Sequence, residues 1–294
     1  GWRLAESGVH NPWVDFVILG SGTLEMDPDR GASGHLLLGD RTPSVLVDSG
    51  PGTIDRLARL GVDPLSLAAV LHSHLHLDHL SDLFPLLFQR CMGEQDLSEL
   101  VLSGAPGHEQ RLLQIGKTLY PKMLQTRLAF HEIASNGRPH PLPGTPYTVS
   151  AFGALHRQAP RVLRIEGSHP EPWSLAYSGD TALCPGLIEA ARGVDWLVIE
   201  CTTPDDQPRP GHLCPEDVAT VVSRAQPKGT ALVHLSPAWR RPEDAASVVR
   251  AHIGTQTAGE VPYIVGGRDG LALPLPWSEP YATELDPDRS LESL

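Results

Sequence analysis

Three imidazoles and a carboxylate fall within six residues of this chain, His74-Leu75-His76-Leu77-Asp78-His79. Nitrogen and oxygen donors of this kind bind zinc and similar divalent cations. Histidine is frequent here, 14 of 294 residues, so a chance pair would mean little. Four donors at this spacing point to a metal site. His72 alternates with His74 and His76, but only the frame that starts at His74 ends in Asp-His, so His72 reads as structural.

More residues of the same chemical type lie far along the chain, and they share a position in the pattern. His156, Asp180, Glu200 and His234 each end an apolar run that reads as a strand, or lie in its last turn. Taken singly they have ordinary explanations: Asp180 as a turn or cap aspartate, His234 as a core histidine with a backbone partner. Taken together they place donors along one edge of a rigid scaffold, where loops assemble a site from distant sequence.

The elements that must carry them can be read in order. Residues 1–13 form an irregular leader, and residues 15–19 a strand closed by Gly20-Ser-Gly22. A dinucleotide-binding turn would need a third glycine where Glu25 stands, so this is a tight turn. Residues 34–38 and 44–48 make a hairpin, and 53–60 a short amphipathic helix stopped by Gly61. The apolar run 67–71 is a buried strand; the run 80–88 is broken only by Ser81, Asp82 and Pro85. A strand thus delivers His74 into a loop, and Asp78 and His79 to the start of a helix. A strand at 99–102, a helix over 108–123 and a weak strand at 127–133 follow, and the proline-rich segment 139–146 marks the seam between two halves.

The second half repeats this grammar. Strands are expected at 147–155, 173–177, 195–200, 230–235 and 262–265, with helices at 183–192, 215–225 and 242–253. Pro215, Glu216 and Asp217 suit the first turn of their helix. Residues 157–172, with Arg157, Arg161, Arg164 and His169, form a short basic loop, either facing the site or simply solvated. Residues beyond about 277 read as a tail.

Bulk composition limits the function classes. Hydrophobic content of 40% and charged content of 20% describe a globular protein able to bury a full core. No apolar run reaches the ~20 residues of a membrane span. The formal charge of −12, with only three lysines (Lys117, Lys122 and Lys228), makes nucleic acid an unfavoured partner. Cys91, Cys184, Cys201 and Cys214 are too far apart for a zinc ribbon or a disulfide framework. Reduced thiols and a cytoplasmic location are the simpler expectation, although the chain starts Gly-Trp-Arg and a trimmed signal peptide stays open.

The run His-x-His-x-Asp-His at 74–79, a later histidine after a strand (His156), Ser178-Gly-Asp-Thr181 and a final strand histidine (His234) resemble the metallo-β-lactamase superfamily. The resemblance spans roughly residues 14–270 and implies an α/β fold, a four-layer αβ/βα sandwich of the metallo-β-lactamase type in a single domain. It implies two divalent metal ions, zinc in the first instance, with manganese or iron also compatible. His74, His76 and His156 would bind one, Asp78, His79 and His234 the other, and Asp180 would bridge them. The best-known β-lactamases of the superfamily have cysteine where Asp180 stands, which argues against antibiotic hydrolysis.

The pattern is most similar to the tRNase Z-like branch, through Leu19-Gly-Ser-Gly-Thr23, Arg30-Gly-Ala-Ser-Gly34, Val47-Asp-Ser-Gly-Pro-Gly-Thr53, Glu200, Gly211-His212 and His234-Leu-Ser236. That likeness gives His212 a role in proton transfer, assisted by Glu200. The chain departs from the branch in having Ile199 where a histidine usually precedes the glutamate. It also has only 23 residues between His156 and Asp180, too few for the tRNA-gripping arm of the short enzymes.

A binuclear hydrolase acting on a small phosphodiester through a metal-bound hydroxide is therefore expected, with Asp78, Glu200 and His212 as catalytic residues. Lactone, thioester or other carboxylic ester hydrolysis is the alternative, and tRNA 3′-processing the third. A diiron redox site would need a flavodoxin partner domain for which the chain has no room, and a degenerate binding module would not need seven intact ligand positions. The oligomeric state is open, a homodimer included.

Overall fold

Apolar alternation builds two sheets. In the computed structural model the first contains β1 (Val14–Gly20), β2 (Gly34–Gly39), β3 (Thr42–Ser49), β4 (Leu67–Leu71), β5 (Val101–Gly104) and β6 (Ala129–Glu132). The second contains β7 (Pro139–Pro141), β8 (Thr148–Gly153), β9 (Arg161–Gly167), β10 (Trp173–Tyr177), β11 (Trp196–Glu200), β12 (Gly229–Val233) and β13 (Tyr263–Gly266). The chain then returns to the first sheet as β14 (Leu271–Leu275) and β15 (Tyr281–Ala282). The strand orders are β15-β14-β1-β2-β3-β4-β5-β6 and β13-β12-β11-β10-β9-β8-β7. In each half antiparallel strands come first and parallel ones follow: β1 to β3 then β4 to β6, and β7 to β10 then β11 to β13. The structure describes residues 13–40, 42–92, 97–119, 128–158, 160–256 and 262–283. The expected leader before residue 13, the end of the helix expected over 108–123 and the tail from residue 284 lie outside the described residues.

Side-chain alternation sorts the strands' two faces into layers. Phe16, Ile18, Val47 and Leu71 of the first sheet meet Val149, Leu163, Leu175, Val198 and Val233 of the second in one apolar core. The opposite face of the first sheet (Val17, Leu36, Leu46, Val70) is covered by side chains of α1 (Thr53–Arg59), α3 (Leu83–Met92) and α4 (His108–Leu119). The opposite face of the second (Val162, Ala176, Leu197, Leu232) packs against α5 (Pro185–Ala190), α6 (Pro215–Ala225) and α7 (Pro242–Gln256). Four layers result, helix on sheet on sheet on helix, because each sheet has two apolar faces to cover. The short α2 (Leu77–Leu80) lies against β3 instead. Among the described residues no helix is long and apolar enough to cross a membrane.

The basic loop expected over 157–172 instead has a strand, β9, at its centre. Val162, Leu163 and Ile165 are buried in β9, which pairs with β8 and β10. Arg161 is fully buried: its Nε and Nη2 donate to the His72 carbonyl at 3.0 and 2.9 Å, and burial pushes its pKa down to about 10. Arg164 bonds Glu166 and the Arg192 carbonyl. Neither arginine faces the candidate site. Three further strands were not expected: β7, β14 and β15, the last lying inside the tail expected beyond about 277, where it pairs with β14. Proline at both ends hid β7, and Pro274 inside Leu271–Leu275 hid β14, although Pro274 sits opposite Asp15 of β1.

Candidate metal centre

The site forms where four strand-end loops meet. β4 ends at Leu71 and releases His72 to Leu75; His76 is the residue before α2, and Asp78 and His79 lie within that helix. β8 leads to His156, β10 to Asp180, and β12 to His234. The His156 and Asp180 loops are tied by an antiparallel bridge, in which Leu155 N–H donates to Thr181 Oγ1 at 2.9 Å and Ala182 N–H to the Leu155 carbonyl at 3.0 Å. Gly179 brings the Asp180 loop onto the β4 loop. Its φ is 53°, and a Cβ there would lie 2.7 Å from Ser73 Cβ, so only glycine fits.

The structure brings all seven expected ligand residues together, in two sets. His74, His76, His156 and Asp180 form one; Asp78, His79, Asp180 and His234 form the other, and the donor atoms within each set lie inside 4.8 Å of one another. Asp180 is shared atom by atom. Its Oδ2 is 3.7 Å from His74 Nε2 and 3.8 Å from His156 Nε2, while Oδ1 is 3.3 Å from His79 Nε2 and 3.4 Å from His234 Nε2. Asp78 Oδ2 is 3.4 Å from His234 Nε2.

These donors fit divalent cations on their own evidence. His79 Nε2 and Asp180 Oδ1 are buried, face each other and have no hydrogen-bond partner. Leaving such atoms unsatisfied is costly, and a cation between them removes the cost. Burial, then the neighbouring His79, lowers the His74 pKa to about 3; burial and His156 lower that of His76. Neutral imidazole is the metal-binding form. For Asp78, burial opposes ionisation but the His234 and His79 rings outweigh it, and its pKa falls to about 2. Burial likewise opposes charge on His79, yet Asp180 and Asp48 outweigh it and hold a proton on the ring, a position a cation would take.

A buried support that the sequence did not reveal lies beneath. Asp48, at the end of β3 with φ 58°, accepts from Ser73 N–H and Ser73 Oγ, both at 2.7 Å, and from Tyr177 OH at 2.8 Å. Its Oδ2 also lies 2.6 Å from His79 Nδ1, which fixes Nδ1 as the protonated nitrogen and turns Nε2 toward Asp180. The signals for this role were an aspartate closing an apolar strand, Ser44-Val-Leu-Val-Asp48, and its place in Val47-Asp-Ser-Gly-Pro-Gly-Thr53. His156 has its own support: Nδ1–H donates to the Gly211 carbonyl at 2.9 Å. His72 is structural, as its frame implied, with Ser49 Oγ and His108 Nε2 each 3.1 Å from its ring nitrogens.

The two expected proton-transfer residues adjoin both ligand sets. His212 Nδ1 is 3.1 Å from Glu200 Oε2, and its ring lies 4.7 Å from that of His156 and stacks at 5.4 Å on that of His234. Glu200 is fully buried; Oε1 accepts from Thr181 N–H at 2.6 Å and Oε2 from Leu213 N–H at 3.2 Å. Burial works against a charged His212, but its bond to Glu200 wins and raises its pKa.

Known proteins share this scaffold. Residues 44–235 match the family described as the beta-lactamase superfamily domain. The chain belongs to that superfamily. An uncharacterized protein of Mycobacterium tuberculosis (strain ATCC 25618 / H37Rv) is 30% identical over 240 residues, 81% of this chain and 86% of that protein. A ribonuclease Z of Ignicoccus hospitalis is 28% identical over 268 residues, covering 76% of this chain and 89% of its own. The crystal structure of a metallo-beta-lactamase fold protein from Bacillus subtilis superposes with a TM-score of 0.70 at 22% identity, over 90% of this chain and 100% of that one. This superfamily member is thus a metallo-hydrolase of the tRNase Z-like kind, with clusters of histidine and aspartate suited to metal.

Proposed function

We propose that the protein is a binuclear metal-dependent phosphodiesterase acting on a small phosphodiester. In this reading His74, His76 and His156 hold one divalent ion, Asp78, His79 and His234 hold the second, and Asp180 gives one oxygen to each. The observation that carries it is the division of Asp180 between the two sets, with the Glu200–His212 pair leaning on both. Zinc suits these donors, and manganese or iron is compatible. Bound ions would acidify a water and neutralise charge on the phosphoryl oxygens.

The chain's own side chains supply the rest. Asp78 Oδ2, held against His234, orients the attacking water and takes its proton. His212 is anchored through Nδ1 to Glu200, which leaves Nε2 to protonate the departing oxygen. An alkoxide is a poor leaving group, so a phosphodiester needs this donor; a thioester or activated lactone needs it less. The metal-loaded protein is expected to hydrolyse phosphodiesters well ahead of lactones, thioesters and β-lactams in a side-by-side measurement of kcat/KM. A lactone or thioester as the best substrate, with phosphodiesters inert, overturns the proposal in favour of carboxylic ester hydrolysis.

The likeness to a ribonuclease Z supports a second reading, cleavage of pre-tRNA. Against it stands the interval between His156 and Asp180, which β9 and β10 occupy, so that no long insertion is available there. At moderate salt a small phosphodiester is expected to be cleaved and pre-tRNA not. Efficient, salt-sensitive cleavage of pre-tRNA at its 3′ side would mean that another surface grips the RNA.

Gly211 tests the link between the His212 loop and the first ligand set. Its φ is 84°, and an added Cβ would lie 2.9 Å from His156 Nδ1. Gly211→Ala therefore meets left-handed strain of roughly 1–2 kcal/mol and also pushes on His156. The expected result is a loss of about 10–100-fold in affinity for one ion, measured by chelator competition. Unchanged affinity for both would detach Gly211 from the site.

A further inference from the structure

Thr202 lies just past the end of β11, buried between the His212 and His234 loops. Its backbone is fixed on both sides: its N–H donates to the Leu213 carbonyl at 3.1 Å, and its carbonyl accepts from Ser236 N–H at 3.0 Å. The side-chain hydroxyl therefore has little freedom, and it touches three functional residues. It donates to Glu200 Oε2, and its oxygen lies 2.9 Å from His234 Nδ1 and 3.4 Å from His212 Nδ1.

A hydroxyl has one proton and two lone pairs. Since the proton goes to Glu200, the contact with His234 can only run the other way, from Nδ1–H to Thr202 Oγ1. His234 is then protonated on Nδ1, and its Nε2 lone pair points at Asp78 and Asp180, each 3.4 Å away. His79 and His156 have their Nδ1–H held by groups that only accept, the Asp48 carboxylate and the Gly211 carbonyl. His234 differs, because its acceptor is a hydroxyl whose direction is set by Glu200.

We propose that Thr202 is a positioning residue that fixes the tautomer of His234 and so couples the second ligand set to the Glu200–His212 pair. Without the hydroxyl, His234 Nδ1–H has no acceptor in a buried site. The ring proton then moves to Nε2, where Asp78 and Asp180 stabilise it, and the ligand atom is blocked. One carboxylate, Glu200, thereby anchors the proton donor directly and a metal ligand at one remove. The inference rests on the reading of His234 as a ligand of the second ion.

Thr202→Val keeps the shape and removes the hydroxyl, Thr202→Ser keeps the hydroxyl, and Thr202→Ala is a second variant without it. Zinc affinity of the full chain is measured by chelator competition that resolves successive ions, alongside thermal stability. Val and Ala are expected to weaken one ion by about 10–100-fold while the other keeps its affinity, and Ser to stay close to the wild type. In the zinc-loaded full chain, 15N NMR of the histidine rings is expected to show a slowly exchanging His234 Nδ1–H in the wild type and the Ser variant, and a fast-exchanging one in Val and Ala. Wild-type affinity for both ions in Val and Ala, equal weakening of both in step with a stability loss, or an unchanged Nδ1–H overturns the proposal. A wild type that binds no second ion overturns the ligand reading of His234 and the proposal with it.

Discussion

Replacing Asp180 with alanine is expected to release both metal ions and reduce hydrolysis of every substrate to background. Its two oxygens divide between the sets, Oδ2 toward His74 and His156 and Oδ1 toward His79 and His234, so one substitution removes a donor from each. The affinity loss for each ion should exceed the ~10–100-fold typical of a lost outer-shell partner, because a direct ligand is gone. His74→Ala provides the contrast, since His74 belongs to one set only and should cost one ion. Elemental analysis and activity on the same samples check both statements. Retention of both ions by Asp180→Ala would refute the bridging role.

Replacing His212 with alanine is expected to slow hydrolysis according to how badly the leaving group needs a proton. A nitrophenolate is stable without one and should leave almost as fast from the variant. An alkyl or ribosyl oxygen should leave about 10²–10⁴-fold more slowly, the usual range for general acid catalysis. The geometry separates this from a metal effect: Nδ1 of His212 is taken by Glu200, and the residue belongs to neither of the two four-residue sets that share Asp180, so the variant should keep its ions. Were His212 only a packing residue for its loop, every substrate would slow equally. A plot of log kcat against leaving-group pKa for the two proteins decides between these outcomes.

The candidate metal-binding run was legible because its four donors are local, and spacing is a property that sequence states directly. Asp180 was different. Its Ser-Gly-Asp-Thr turn suits a cap as well as a bridge, and only family resemblance joined it to residues a hundred positions earlier. The support below the ligand positions was hidden for a physical reason: Asp48 acts through long-range bonds to Ser73, His79 and Tyr177, whereas the sequence shows only an aspartate that closes a strand. Among the elements, β9 was misread because its arginines resembled a solvated loop, whereas Arg161 is a buried strut beneath His72. The return of β14 to the first sheet was unreadable from pattern, since which sheet a strand joins depends on pairing partners far away; here Trp196 of the second sheet even donates to the Pro274 carbonyl across the core at 3.0 Å.

The central claim, a two-ion centre, is tested most directly by counting. The full chain, stripped with chelator, reloaded with zinc and desalted, is measured by elemental analysis against protein concentration. Two ions per chain is the predicted result, because two sets of histidine and aspartate donors share Asp180 around buried atoms that lack any other partner. A preparation that is folded and yet retains no zinc after reloading would contradict the account.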